Sequence, residues 1–312
     1  MSTATRPSRA SRTWARRTWT YLCGHWELYL FLLPGLVFAM MFKLLPMSKI
    51  VIAFKNFKPL KGIAASPWVG FAQFEKMFAD PDVLNVIKNT LEINLMIVIF
   101  VVPLPMFLAI MLNEITFMPL KKGIQTLIYI PHFFTWVVVY SVFFVLFGST
   151  GMVNTVIKML GGEEILFFMK GGWFRFLLVI SNAWKGAGWG TIVYLSAITA
   201  IDAQIYEAAT IDGASKTKQF FSITVPMITP VIFYNLVTQI AQAFQEFNGP
   251  YIITQGGPRN ATTLVSLLVY NYAFKSNEMG MACALAWVMF IAVALLTVIA
   301  FTSQKHWVYY AD

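Results

Sequence analysis

Long apolar runs separated by short polar breaks dominate this chain. The uncharged runs from Gly123 up to Lys158 and from Phe220 through Gln245 exceed the roughly 20 residues a helix needs to cross a hydrocarbon core of about 30 Å. Backbone amides cannot go unpaired in lipid, so runs of this length are expected as helices. The alternating ten-residue segments of an outer-membrane barrel are missing. Six spans are expected, at Leu28–Phe54, Thr90–Leu112, Ile124–Phe147, Phe174–Ala200, Pro226–Gln245 and Met279–Phe301. Lys43 and Lys49 interrupt the first near its outer end, where their stems can snorkel to the surface. Pro103 and Pro105 predict a bend in the second.

Composition agrees. Hydrophobic residues make up 58% of the chain and charged ones 12%, against about 25% charged in soluble domains. The fold class expected is an all-α polytopic membrane protein. The net charge of +9 does not point to nucleic acid, because the basic residues are dispersed and no aromatic-basic module accompanies them. One cluster stands apart: Arg6, Arg9, Arg12, Arg16 and Arg17, in a polar tail. It reads as a cytoplasmic anchor against anionic lipid and sets the orientation of the first span. Six spans then leave both termini cytoplasmic, put 201–225 inside, and put 148–173 and 246–278 outside. The first apolar stretch begins too late and runs too long for a cleavable signal. Cys23 and Cys283 suggest neither a disulfide framework nor a metal site.

The break "EAATIDGASKTKQFFSITVP", residues 207–226, is the sizeable interruption of the C-terminal half. Asp202 is placed to cap a short helix through Ala209, Gly213 to stop it in the left-handed region, and Ser215 to cap a second. Pro226 marks the junction with the next span. The pattern predicts a helix-turn-helix elbow whose small residues, Ala208, Ala209, Gly213 and Ala214, let another backbone approach. Glu207 and Asp212 add charge that locks an orientation. A loop helix resting on headgroups fits the same residues.

Glu207-Ala208-Ala209, three residues, Gly213, nine residues and Ile223-Thr224-Val225-Pro226 closely resembles the EAA signature of permease subunits of binding-protein-dependent ABC importers. Val225 stands where the usual ending has Leu. "TQGGP" in an outer loop and "SPWVGFAQFEKMF" in the first outer loop resemble the carbohydrate branch, maltose-type and lipoprotein-dependent oligosaccharide importers. The resemblance covers nearly everything from Leu28 to Asp312. It implies the type I importer permease fold: a basic tail over 1–27 and a six-helix permease domain over 28–312, with a coupling loop at 201–226. It further implies a second permease subunit, two copies of a cytoplasmic ATPase, an extracytoplasmic solute-binding protein, and the bacterial cytoplasmic (inner) membrane. Glu207, Ala208, Ala209, Asp212, Gly213 and Pro226 are implied to meet the ATPase.

The chain has no Walker A loop, zinc spacing or nucleophile elbow, so no cofactor or catalytic residue is expected in it; ATP and Mg belong to the partner. Polar residues inside spans are costly and tend to face a bundle interior or a path. Asn182, Lys185, Gly186 and Trp189 share one helical face, as do Gln239, Gln242 and Glu246. Amides, charges and aromatic faces are what sugars require. By resemblance to a maltose-type permease, the substrate path falls at His132, Asn182, Lys185, Gly186, Trp189, Gln242, Ala243 and Glu246. Gln245 lies beside them in the fifth span. The same residues also suit hydrogen bonds that join helices. Lys185 needs an anion, either Glu246 or a carboxylated substrate, so an acidic oligosaccharide such as a uronate is one expectation. The rival class is an ion-coupled secondary transporter, which would show paired broken helices.

Overall fold

The computed structural model describes residues 19–254 and 263–309, apart from the side chains of Ala243, Ile253 and Thr254. The arginine cluster, the last residues of "TQGGP" and Asp312 lie outside that range. The described chain is helical. Its one β-bridge, Lys55 with Trp68, is isolated.

Helix α1 (Trp26–Ala39) passes through a π turn at Met40–Leu44 and ends in a 3-10 stretch at Ser48–Phe54. It buries none of its own residues. Helix α2 (Ala72–Ala79) follows the first loop. The second expected span starts earlier than Thr90: α3 (Pro81–Phe100) is set up by Asp80, whose carboxylate accepts from the Asp82 amide at 2.9 Å. It passes into α4 (Pro103–Glu114) through a bend at Val101 and Val102. Pro103 and Pro105 have no amide proton to continue the ladder, which explains the bend.

The third expected span is not one helix. Helix α5 (Met118–Phe133) ends, and α6 (Trp136–Phe147) starts on a fresh cap, the Thr135 hydroxyl accepting from the Val138 amide at 3.4 Å. A proline near the end of α5, Pro131, and a capping residue just beyond it favour a stop over a through-helix.

Helix α7 (Met152–Met159) follows, then α8 (Gly171–Thr199). The elbow is built from α9 (Ala203–Ile211) and α10 (Lys216–Gln219). A π turn at Phe220–Thr224 leads directly into α11 (Val225–Ala243). Pro226 sits in the first turn of α11, at the junction of the π turn with the span. Helix α12 (Val265–Tyr270) and the long α13 (Met279–Trp307) complete the chain.

Five described helical stretches are both long and apolar enough to cross a membrane: Trp26–Phe54, Pro81–Glu114, Trp136–Met159, Lys216–Gln242 and Met279–Trp307. The expected fourth span exists as α8 but is not among them, because Asn182, Lys185 and several glycines dilute its middle. Packing gives the reason that this polarity is tolerated. Helix α8 enters three of the four buried clusters among the described residues: Phe174 and Leu178 beside Ile93 and Tyr140, Leu177 beside Val139 and Phe143, Tyr194 and Ile198 beside Ala109 and Ile228. It is the central mast, and its neighbours rather than lipid meet its polar groups.

Gly188 and Gly190 make that position possible. A Cβ at Gly188 would run into the carbonyl of Ile128 and come within 2.8 Å of the Tyr129 Cα, and at Gly190 it would meet the Pro105 ring at 2.7 Å. The remaining cluster joins α2, α3, α12 and α13 around Met77, Val86, Leu268 and Leu285.

Candidate functional site

The elbow is defined by its hydrogen bonds. The carboxylate of Asp202 accepts from the Gln204 amide at 2.9 Å, opening α9. At the other end Gly213 has φ +74°. The Gly213 amide donates to Thr210 O at 3.0 Å and the Ala214 amide to Ala209 O at 2.9 Å. This pair of bonds is the Schellman stop, which requires the left-handed residue. The Ser215 hydroxyl then accepts from the Lys218 amide at 3.3 Å and opens α10.

Two residues absent from the sequence reading hold the arms together. Buried Gln219 donates to Thr210 Oγ1 at 3.0 Å and to Ala214 O at 3.1 Å. The Tyr206 hydroxyl meets Thr224 Oγ1 at 2.8 Å. The bend is thus cross-braced, and it leaves Glu207, Ala208, Asp212 and Gly213 exposed, with Ala209 half-buried. Ile211, 86% exposed, projects from the tip. Glu207 lines a pocket of about 770 Å3 between the elbow and the end of α4, where Lys216 lies 3.7 Å from Glu114.

The expected path residues fall into two groups. Asn182, Gln242, Gln245 and Glu246 line one small polar cavity of about 190 Å3, with Trp136, Gln239 and Asn248. His132, Lys185 and Trp189 form a second group: the His132 ring stacks on Trp189 with centroids 5.2 Å apart. Gly186 has open space beside its Cα. Ala243 falls among the side chains not described.

Lys185 does not pair with Glu246. Its ammonium donates to His132 O at 2.8 Å and Phe134 O at 2.6 Å and lies 5.4 Å from the Trp136 ring centroid. Those carbonyls are orphaned because α5 stops there, and a cation is the natural cap for them. Glu246 instead accepts from the Tyr140 hydroxyl at 3.1 Å and the Gly249 amide at 3.0 Å. Among the described residues none of the ion pairs includes Lys185. The cap was not legible in the sequence, since it depends on where α5 breaks.

A match to the family described as "Binding-protein-dependent transport system inner membrane component" spans residues 101–308. It takes in α5, α8, the elbow and α11. The chain belongs to that family. Its members are non-catalytic permease subunits of ABC transporters, which sets aside the ion-coupled secondary transporter.

The polygalacturonan/rhamnogalacturonan transport system permease protein YteP of Bacillus subtilis (strain 168) is 40% identical over 273 residues, covering 87% of this chain and 85% of the relative. Protein LplB of the same organism is 39% identical over 245 residues, 78% of this chain and 77% of the relative. Among solved structures, a chain of a bacterial ABC transporter that imports the acidic polysaccharide alginate superposes with a TM-score of 0.83 at 30% identity, covering 93% of this chain and 98% of that one. The chain is thus an all-α, multi-spanning permease of this transporter class.

Proposed function

We propose that this permease is one half of an ATP-driven importer of acidic, uronate-containing oligosaccharides. It pairs with a second permease subunit, two copies of a cytoplasmic ATPase and an external solute-binding protein, in the bacterial inner membrane. Residues 28–312 form six spans with α8 as the fourth, residues 1–27 form a cytoplasmic tail, and both termini and the elbow are cytoplasmic. The elbow docks on the ATPase through Glu207, Ala208, Ala209, Asp212 and Gly213. A body braced by Gln219 and Tyr206 passes nucleotide-driven closure into α11, beginning at Pro226. Helix α1, none of whose own residues is buried, is free to pack on the second permease.

The route follows α8 and α11. Asn182, Gln242, Gln245 and Glu246 meet sugar hydroxyls in the polar cavity, while Trp189 and His132 offer ring faces at the half of the path this chain contributes. Substrate class is carried by one observation: Lys185 spends two protons on backbone carbonyls, and among the described residues no carboxylate pairs with it, which leaves this cation without a salt-bridge partner beside the path. The polygalacturonan and alginate systems among the similar proteins support the same class.

The test is uptake by the full complex in proteoliposomes, using a uronate oligosaccharide and its uncharged methyl ester. Lys185→Met should reduce acid uptake and spare the ester. If the variant carries every acidic sugar as well as the wild type, the acidic reading is wrong. The importer assignment is tested separately: a stoichiometric ATPase should co-purify, stimulated by loaded binding protein.

A further inference from the structure

Helices α5 and α8 carry more polarity than the cavity and the Lys185 contact use. From His132 toward the elbow end, α5 continues with Tyr129, Gln125, Lys122 and Lys121. From Lys185 and Trp189, α8 continues with Ile192, Ser196 and Thr199. The α8 set advances in helical steps that keep one face, as do His132, Tyr129, Gln125 and Lys122, with Lys121 beside the last. Gly188 lets α8 lie against the Tyr129 backbone, so the two faces flank one seam.

At its end the seam opens into a cavity of about 360 Å3 lined by Lys121, Lys122, Gln125, Tyr129, Ser196 and Thr199. Among the described residues no carboxylate lines it. Of the acids at this end, Glu114 and Glu207 open on the separate elbow pocket with Lys216, Asp202 caps α9, and Asp212 is exposed at the bend. Among the described residues no ion pair includes Lys121 or Lys122. Two ammoniums, an amide and three hydroxyls without an acid suit a ligand with anionic and hydroxyl oxygens.

We propose that this cavity is a second anion site, at the inner end of the route, that receives the carboxylate of an acidic oligosaccharide after it leaves Lys185. It rests on the acidic-substrate reading above. Eleven helical steps separate Lys185 from Ser196, a run of about 16 Å. The two cationic positions thus form successive stations along one seam, and each lowers the cost of carrying a charge through a low-dielectric bundle. The phosphate of a lipid headgroup presents the same oxygens to Lys121 and Lys122. Continuity of the seam with Lys185 favours the sugar.

The test compares wild type, Lys121→Gln/Lys122→Gln and Lys121→Arg/Lys122→Arg, each as the full complex in proteoliposomes. The probes are a galacturonate pentasaccharide and its methyl ester. The glutamine pair should transport the acid at least about tenfold more slowly with the ester rate held, and the arginine pair should restore the acid rate. Equal loss for acid and ester means a packing role and overturns the proposal. So does an unchanged acid rate in the glutamine pair. A defect that appears only in vesicles containing phosphatidylglycerol and not in phosphatidylcholine assigns the cavity to lipid and overturns it too. Wild type that carries acid and ester equally would sink the acidic-substrate reading itself, whereas an acid-selective wild type with an unaffected glutamine pair removes the inner site alone.

Discussion

The ammonium of Lys185 donates to the carbonyl of His132 at 2.8 Å, joining the central helix to the place where α5 stops. A single side chain thereby bridges the break in the third span and the proposed path. Its two duties should separate experimentally. Removing the cap by Lys185→Met leaves the carbonyls of His132 and Phe134 without their charged donor, at a cost of about 2 kcal/mol. The check is thermal unfolding of the detergent-purified complex, where Lys185→Arg should unfold closer to wild type than the Met variant does.

Gly213 should tolerate asparagine and reject glutamate. Its Cβ position is open, so no internal clash opposes a side chain. The left-handed backbone costs most residues about 1–2 kcal/mol, and Asn much less. Gly213→Asn is expected to keep ATPase co-purification and substrate-stimulated hydrolysis. Gly213→Glu, which adds length and charge to the exposed bend, is expected to lose both. Retention of transport in the glutamate variant would show that the bend makes no protein contact.

Gly188 is a packing requirement. Adding one methyl there sets it against the backbone of Ile128 and Tyr129, which cannot swing aside as a side chain would. Gly188→Ala should destabilise the permease by about 1–3 kcal/mol. A thermal midpoint equal to wild type would mean that α5 and α8 are not in register as described.

Asn154, in α7, was passed over in the sequence. It is fully buried. Its amide nitrogen donates to Gly148 O at 2.9 Å and Ile165 O at 3.0 Å, and its oxygen accepts from the Ile165 amide at 2.9 Å. Asn154→Ala strands these groups, at about 1–3 kcal/mol for each left unsatisfied. Protease cleavage between residues 148 and 170 should accelerate markedly in the variant, while cleavage elsewhere stays unchanged.

Much was legible without coordinates. A run of uncharged residues long enough to cross lipid has no alternative to helix, because nothing in hydrocarbon can satisfy its amides. The elbow was legible for a similar reason: Asp202, Gly213 and Ser215 act on backbone groups within a few residues of themselves, so their spacing alone describes the caps. Family membership followed from that same stretch.

Tertiary structure decided the rest, because it turned on groups far apart in sequence. Lys185 and Glu246 look like natural partners by charge, yet each finds a nearer one. The cation meets carbonyls released by the break at Phe134, and the carboxylate meets Tyr140 from another helix. Whether a proline ends its helix depends on its place: Pro131 comes near the end of α5 with the capping Thr135 beyond it, whereas Pro226 stands in the first turn of α11. The polar middle of α8 likewise cannot be read from hydropathy, since lipid exposure and burial among other helices differ only in what surrounds it. Local backbone chemistry is written in order along the chain, whereas the company a side chain keeps is settled only by packing.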